Sequence, residues 1–572
     1  MGLVSNMVIV ARFSSCSSRI HPKLCPKLHA VRMKPRLLPI AFACALAITT
    51  GAVAQERSLP DIGSSAGSLL SPVKQAEYGA MVLAQLRHEG YVLDDPLLDG
   101  WLNDVGQRLA AASNKPQQSF TFFLLRERQI NAFATLGGYI AVNSGLVLAA
   151  DHEDEVAGVL AHEISHVTQQ HVLRGAEKAQ RESLPILLAT LGAIIAAQKA
   201  GGNSSGDAAS AALMTGMGLL QQRQIDYTRD NEAEADRIGI RTLANAGYDP
   251  AAMAEFFVTL QSVVRMNQGD ERSAVPGYLQ THPLTLARIS EARERAAKLT
   301  PAVHASTSST PGSNPLLPPG LQLSLPTQTR AGVGDTGDFA WARERLRVLS
   351  APTPAQAIRE YQQLRTKKPL DDASRYGLAI AHQQANEPAQ ALQELTPLLQ
   401  AHPSSLWLQI AIGEAEAHTG KITEAERRFE TLLARMPTHR ALALTYARLL
   451  GERNTREAGL RAVAVLRPLL GNTAADLPFQ QAYARANEIA GDPARAGEAW
   501  AEAAYLSGRP EQALVQLNNL KKNQTLDYYA RARIDARIAA ITPTVLELHR
   551  QGVRDEEVRG GKLGFDAKFT PR

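Results

Sequence analysis

Apolar positions recur at helical spacing from Pro72 to about Lys298, and again over long stretches beyond 339. Val156, Val159, Leu160, Ile164 and Val167 wrap much of one predicted helix, so that helix is expected to be mostly buried. Strand patterns are few. F-T-F-F-L-L at 120–125 and Y-I-A-V-N at 139–143 predict a strand pair around the segment N-A-F-A-T-L-G-G. The second of these suits either an edge that pairs with an extended polypeptide or a strand of the core, and its residues leave both open. Residues 56–72 are rich in Gly and Ser and read as an extended arm. Residues 300–338 shift to Pro, Ser, Thr and Gly and read as a flexible linker. The pattern predicts a mainly α fold with a small β-sheet.

Beyond the linker the chain repeats itself. Pro403 and Pro437 are 34 residues apart, and the pairs Gly377/Ala411, Ala391/Ala425, Leu395/Phe429 and Leu399/Leu433 keep the same offset. A turn-former followed by Ala five residues on recurs as Asn386/Ala391, Gly420/Ala425, Gly491/Ala496 and Gly508/Ala513. This period, with small residues where helices cross and a terminal Pro, resembles the tetratricopeptide repeat. The resemblance implies an α-solenoid with a concave surface suited to peptides or partner proteins. The register slips near 451–475, and after Ile541 the chain turns polar.

The chain has 572 residues, too many for one hydrophobic core, and only 5% aromatics, which favours close-packed helices. Its first 54 residues read as an address. Lys34 and Arg36 precede an apolar run and an A-x-A signal at Ala52 and Ala54, which predicts a start at Met33 and cleavage after Ala54. Residues 1–54 hold seven Lys/Arg and no Asp/Glu, so their removal takes the formal charge from +5 to −2. A nucleic-acid role inferred from basicity therefore has no support. Cys16, Cys25 and Cys44 all lie in the removed part, which excludes disulfides and thiolate metal sites from the mature chain. Two apolar runs, at 184–197 and 212–220, are too short to span a bilayer and read as a hairpin or loop able to touch a membrane, cover a site or dock a partner.

The chemistry concentrates in A-H-E-I-S-H at 161–166. His162 and His166 are four apart, hence on one helix face, where two imidazoles can grip one Zn²⁺ at about 2.0–2.1 Å. Glu163 follows the first ligand and falls beside the metal's water, the place for a general base. A catalytic zinc takes a third protein ligand and keeps a fourth position open. The candidates lie in T-R-D-N-E-A-E-A-D-R-I-G at 228–239. Glu232 and Asp236 share a face and Glu234 lies about 200° round. One carboxylate can bind the metal while another accepts from a ligand histidine, although the spacing equally suits a solvated acidic face. His152 and His171 lack ligand spacing to the motif and read as solvated helix residues.

H-E-I-S-H followed by N-E-A-E-A-D resembles the gluzincin peptidases that include HtpX and the CAAX prenyl protease. It is most similar to BepA-type periplasmic proteases, which add a C-terminal tetratricopeptide array. The resemblance covers about 60–298 by motif and 340–545 by architecture. It implies a helical gluzincin-type metallopeptidase domain at 55–299, the linker at 300–338, a repeat domain at 339–545 and a polar tail at 546–572. It makes Glu232 the third ligand of a single zinc and Asp236 a supporting carboxylate, sometimes assigned as proton donor. In T-H-P-L-T-L-A-R at 281–288 it implies that His282 can fill zinc's fourth position and hold the enzyme latent, with Arg288 near the active site. His282 precedes Pro283, which favours an extended or turn segment able to move. The implied function is a periplasmic endopeptidase, peripheral to the outer membrane, that degrades misfolded or stalled outer-membrane β-barrel proteins. The β-barrel assembly machinery is its implied partner, and a chaperone role in assembly its implied second activity. The competing reading is a repeat-based chaperone or assembly factor whose proteolysis is mostly latent. An intramembrane prenyl-protein protease would need longer apolar spans.

Overall fold

Pro at the first helical position and a side-chain cap start the first two helices: Ser71 caps α1 (Pro72–His88) and Asp95 caps α2 (Pro96–Ala111). In the computed structural model the described residues are 70–178, 228–267, 276, 278–279, 282–299, 336–524 and 526–550. The leader, the apolar runs at 184–197 and 212–220, residues 300–335 of the linker and the tail beyond 550 lie outside them.

After α2 come β1 (Thr121–Leu125), β2 (Ala132–Ala134) and β3 (Tyr139–Asn143), then α3 (Ser144–Ala149) and α4 (Glu153–Thr168). The sheet order is β1-β3-β2, with β1 parallel and β2 antiparallel to β3. Y-I-A-V-N is thus the middle strand and has no edge to offer. The free edge belongs to β2, formed from the segment expected merely to join two strands. Its three residues are too few to show a period in sequence.

The N-terminal half continues with α5 (described over 171–178), α6 (described over 228–245), α7 (Ala252–Asn267) and α8 (Leu286–Ala296). Val156, Val159, Leu160 and Ile164 are buried as their spacing predicts, between α2, α7 and the sheet.

From α9 (Phe339–Leu349) to α20 (Tyr528–Arg550) the described chain is helical hairpins. Asn386, Gly420, Gly491 and Gly508, the four turn-formers of the repeat, all adopt the left-handed conformation that ends a helix sharply. Ala391, Ala425, Leu395 and Phe429 are buried at the crossings. A Cβ on Gly377 would meet the Tyr361 ring and hydroxyl, so only glycine admits that packing. Where the register slips, a 3₁₀ turn at Arg467–Asn472 replaces the helix end. α20 runs to Arg550, past the boundary expected at 545.

The two halves share one hydrophobic core. Arg345 on α9 makes a bidentate pair with Asp95 at 2.7–3.0 Å, both side chains buried, while Asp95 also caps α2. Arg128 reaches Ser350 and Glu360, and Arg440 bridges Asp99 and Asp476. Among the described residues no helix is long and apolar enough to cross a membrane.

Candidate metal centre

The centre is assembled by one close helix crossing. α6 passes α4 at Gly239, where a Cβ would lie 3.1 Å from the backbone nitrogen of His162 and 3.2 Å from the carbonyl carbon of Ala161. Without a side chain at 239 the two backbones approach closely. Asp236 and Glu232, one and two turns earlier on α6, then come level with His162.

Four side chains converge. His166 Nε2 lies 3.0 Å from His162 Nε2, and His282 Nδ1 lies 3.4 Å from the same atom. Glu232 brings its oxygens to 3.5 Å from both helix histidines and 2.9 Å from His282 Nδ1. Zinc with ligands at about 2.0–2.1 Å in tetrahedral array sets them about 3.3 Å apart, so this donor set fits it. Glu163 is buried beside the cluster, with Oε1 3.5 Å from His282 Nε2 and its carboxylate accepting from the Ala134 N–H of β2. Among the described residues Glu163 Oε1 has no hydrogen-bond partner.

The electrostatics favour a cation. Burial opposes protonation of His162, yet hydrogen bonds with Asp236 and Glu232 outweigh it and push its pKa up to about 10. Burial would raise the Glu232 carboxyl, but hydrogen bonds from His162 and His282 hold it far below the usual carboxylate range. The Glu163 carboxyl is pushed up by burial.

Asp236 stands outside the cluster, with Oδ1 2.9 Å from His162 Nδ1 on the far side of that ring. Arg288 grips Asp236 through Nε and Nη2 at 2.8 and 2.9 Å. Its Nη1 lies 2.8 Å from Glu232 Oε2 and donates to the Pro283 carbonyl, also at 2.8 Å. It therefore ties both acidic residues of α6 to the segment bearing His282.

Two residues of this neighbourhood escaped sequence reasoning. Tyr278 is fully buried and stacks on His282, ring centroids 4.7 Å apart; its position four residues before His282 was the available signal. His171 is not solvated as expected but buried, with Nδ1 2.9 Å from His166 Nδ1 and Nε2 3.1 Å from Glu234. Its position five residues after His166 was the available signal. His152 is exposed, as expected.

A buried H-E-x-x-H helix crossed by an acid-bearing helix, in a helical domain with a small sheet, defines a zinc-dependent metalloendopeptidase. Residues 96–296 match the Peptidase family M48, and the chain belongs to that family. It is similar to the beta-barrel assembly-enhancing protease of Escherichia coli (strain K12), 32% identical over 481 residues, covering 84% of this chain and 90% of that one. The protein of the same name from Yersinia pestis is 32% identical over 494 residues, 86% of this chain and 93% of that one. A mitochondrial metalloendopeptidase of Arabidopsis thaliana is 28% identical over 283 residues, 48% of this chain and 53% of that one.

Proposed function

We propose that the protein is an exported, periplasmic zinc endopeptidase that degrades misfolded or stalled outer-membrane β-barrel proteins and assists the assembly of others. The convergence of His162, His166 and Glu232 on one point, with Glu163 beside it, carries this reading. The substrate class follows from relatives named for enhancing β-barrel assembly, whose similarity runs through the helical C-terminal region as well. That region, 339–545, acts as a tetratricopeptide array that holds unfolded polypeptide and the β-barrel assembly machinery. The basic and apolar leader with its A-x-A signal supports export, and the apolar runs within 184–220 supply peripheral membrane contact.

His162, His166 and Glu232 hold the zinc. When bound, the metal acidifies a water and polarises the substrate carbonyl. Glu163 takes the water's proton on a carboxylate oxygen and passes it to the leaving amide nitrogen. Asp236 Oδ1, 2.9 Å from His162 Nδ1, keeps that ring turned with Nε2 towards the metal. Arg288 holds Asp236 and Glu232 in place. Substrate pairs with β2 through the Ala132 backbone groups and the Ala134 carbonyl, which alternation points away from β3, while the Ala134 N–H donates to Glu163. His282 lies between Glu163 and the ligand atoms and is a latch that substrate displaces.

The test is cleavage of casein and of an unfolded outer-membrane β-barrel protein by wild type, Glu163→Gln and His282→Ala. Loss of both cleavages in Glu163→Gln and a several-fold rise in His282→Ala are expected. Cleavage of casein alone would remove the β-barrel assignment, and a fall in His282→Ala would remove the latch.

A further inference from the structure

His166 presents Nε2 to the ligand cluster and turns Nδ1 the other way, to His171 Nδ1 at 2.9 Å. His171 opens α5 and is buried. Its Nε2 lies 3.1 Å from Glu234 Oε2, an oxygen that also accepts from Arg174 Nη1 at 3.0 Å. Glu234 lies about 200° round α6 from Glu232, which turns it from the metal cluster towards α5.

The proton positions follow from what each group can do. An ionised carboxylate only accepts, so His171 Nε2 carries the N–H that Glu234 receives. For His166 to bind metal through Nε2, its one proton must sit on Nδ1, and His171 Nδ1 must then be the acceptor. The two conditions agree: a neutral His171 with its proton on Nε2 satisfies both bonds at once. Reversing the direction would place a proton on His166 Nε2, where it would block ligation.

We infer that His171 and Glu234 are positioning residues of the metal centre, a relay that holds His166 in its metal-binding tautomer and orientation. The inference rests on the zinc site of His162, His166 and Glu232. The two helix ligands are thus supported differently. His162 faces the charged Asp236 directly, whereas a neutral ring stands between His166 and its carboxylate. Arg174 anchors Glu234 from the other side, so that the relay ends on a fixed carboxylate.

The experiment compares full-length wild type with His171→Leu, His171→Asn and Glu234→Ala. Zinc affinity is measured by chelator competition, the visible spectrum after loading with Co²⁺, and thermal unfolding of the metal-free proteins. Asn keeps an oxygen acceptor close to where Nδ1 stood, whereas Leu keeps bulk and removes the acceptor. His171→Leu is expected to bind zinc about 10- to 100-fold more weakly and to shift the cobalt spectrum. His171→Asn should stay within about threefold of wild type, and Glu234→Ala should lose about three- to tenfold. Metal-free unfolding should be unchanged in the Asn and Ala variants. Wild-type affinity in His171→Leu, or equal losses in Leu and Asn, would overturn the relay while leaving the zinc site intact. If His171→Leu does not fold, wild-type affinity in Glu234→Ala overturns it instead. A wild type that holds no zinc removes the underlying site, and the relay with it.

Discussion

Gly239 offers a way to loosen the metal centre without touching a ligand. In Gly239→Ala the new Cβ falls 2.9 Å from Met253 Cε, 3.1 Å from His162 N and 3.2 Å from Ala161 C. The methionine tip can swing away, but the other two atoms belong to the backbone of α4. Ordinary contact then requires α6 to retreat by roughly 0.3–0.5 Å, more than the ~0.2 Å tolerance of a metal site. Glu232 and Asp236 ride on the retreating helix. Zinc affinity should therefore fall about 10- to 100-fold, or about 1.4–2.7 kcal/mol. Stability should move differently. Ala gains about 0.8–1.0 kcal/mol over Gly in a helix interior, against an overpacking cost of about 1–3 kcal/mol. The metal-free protein should thus change by no more than about 2 kcal/mol. Gly100→Ala is the control: it lies in α2 with nothing within 4 Å of the added Cβ, and should gain stability with no change in zinc binding. Chelator competition and thermal unfolding of both variants decide the matter. Wild-type zinc affinity in Gly239→Ala would refute the claim that this crossing sets the site.

Three further outcomes are expected. Arg345→Ala should destabilise the protein by about 3–5 kcal/mol, because it strands the buried Asp95 carboxylate; denaturant unfolding should recover much of that loss in Arg345→Ala/Asp95→Asn. Arg288→Lys should weaken zinc binding about tenfold, since a point charge cannot hold Asp236 bidentately and reach Glu232 as well; wild-type affinity by chelator competition would contradict it. The half-exposed His418–Glu452 pair should stabilise by at most about 1 kcal/mol, and only in a window of pH. A hydrogen bond with Glu452 raises His418 from 6.5, so its contribution is full below that and lost as pH rises through the folded value. Burial works against Glu452, but the hydrogen bond from His418 prevails and lowers it from 4.5, so its contribution is lost as pH falls through the folded value. Denaturant midpoints of His418→Gln should therefore drop relative to wild type between about pH 4.5 and 6.5 and converge in alkali.

Local periodicity made much of this legible in the sequence. The i, i+4 spacing of His162/His166 and of Glu232/Asp236 is a property of single helices, and the structure brings both pairs together. The turn-formers of the C-terminal hairpins were readable for the same reason, since Asn and Gly tolerate a left-handed backbone that other residues avoid. What could not be read depends on pairings distant in the chain. The central place of Tyr139–Asn143 follows from which strands flank it, and β2 is too short to announce itself. His171 reads as solvated because its partners include Glu234, which stands 63 residues on in another helix. Tyr278 stands four residues before His282, and its carbonyl accepts from the His282 N–H at 2.8 Å, a pairing that no run of apolar positions marks.

The central claim is that His162, His166 and Glu232 hold a zinc that Glu163 uses to cleave peptide bonds. Zinc content and casein cleavage of wild type and Glu163→Gln, measured on the same preparations, test it most directly. Both proteins should carry about one zinc per chain, with cleavage only in wild type. Folded wild type without zinc, or a Glu163→Gln variant that cleaves as wild type does, would contradict it.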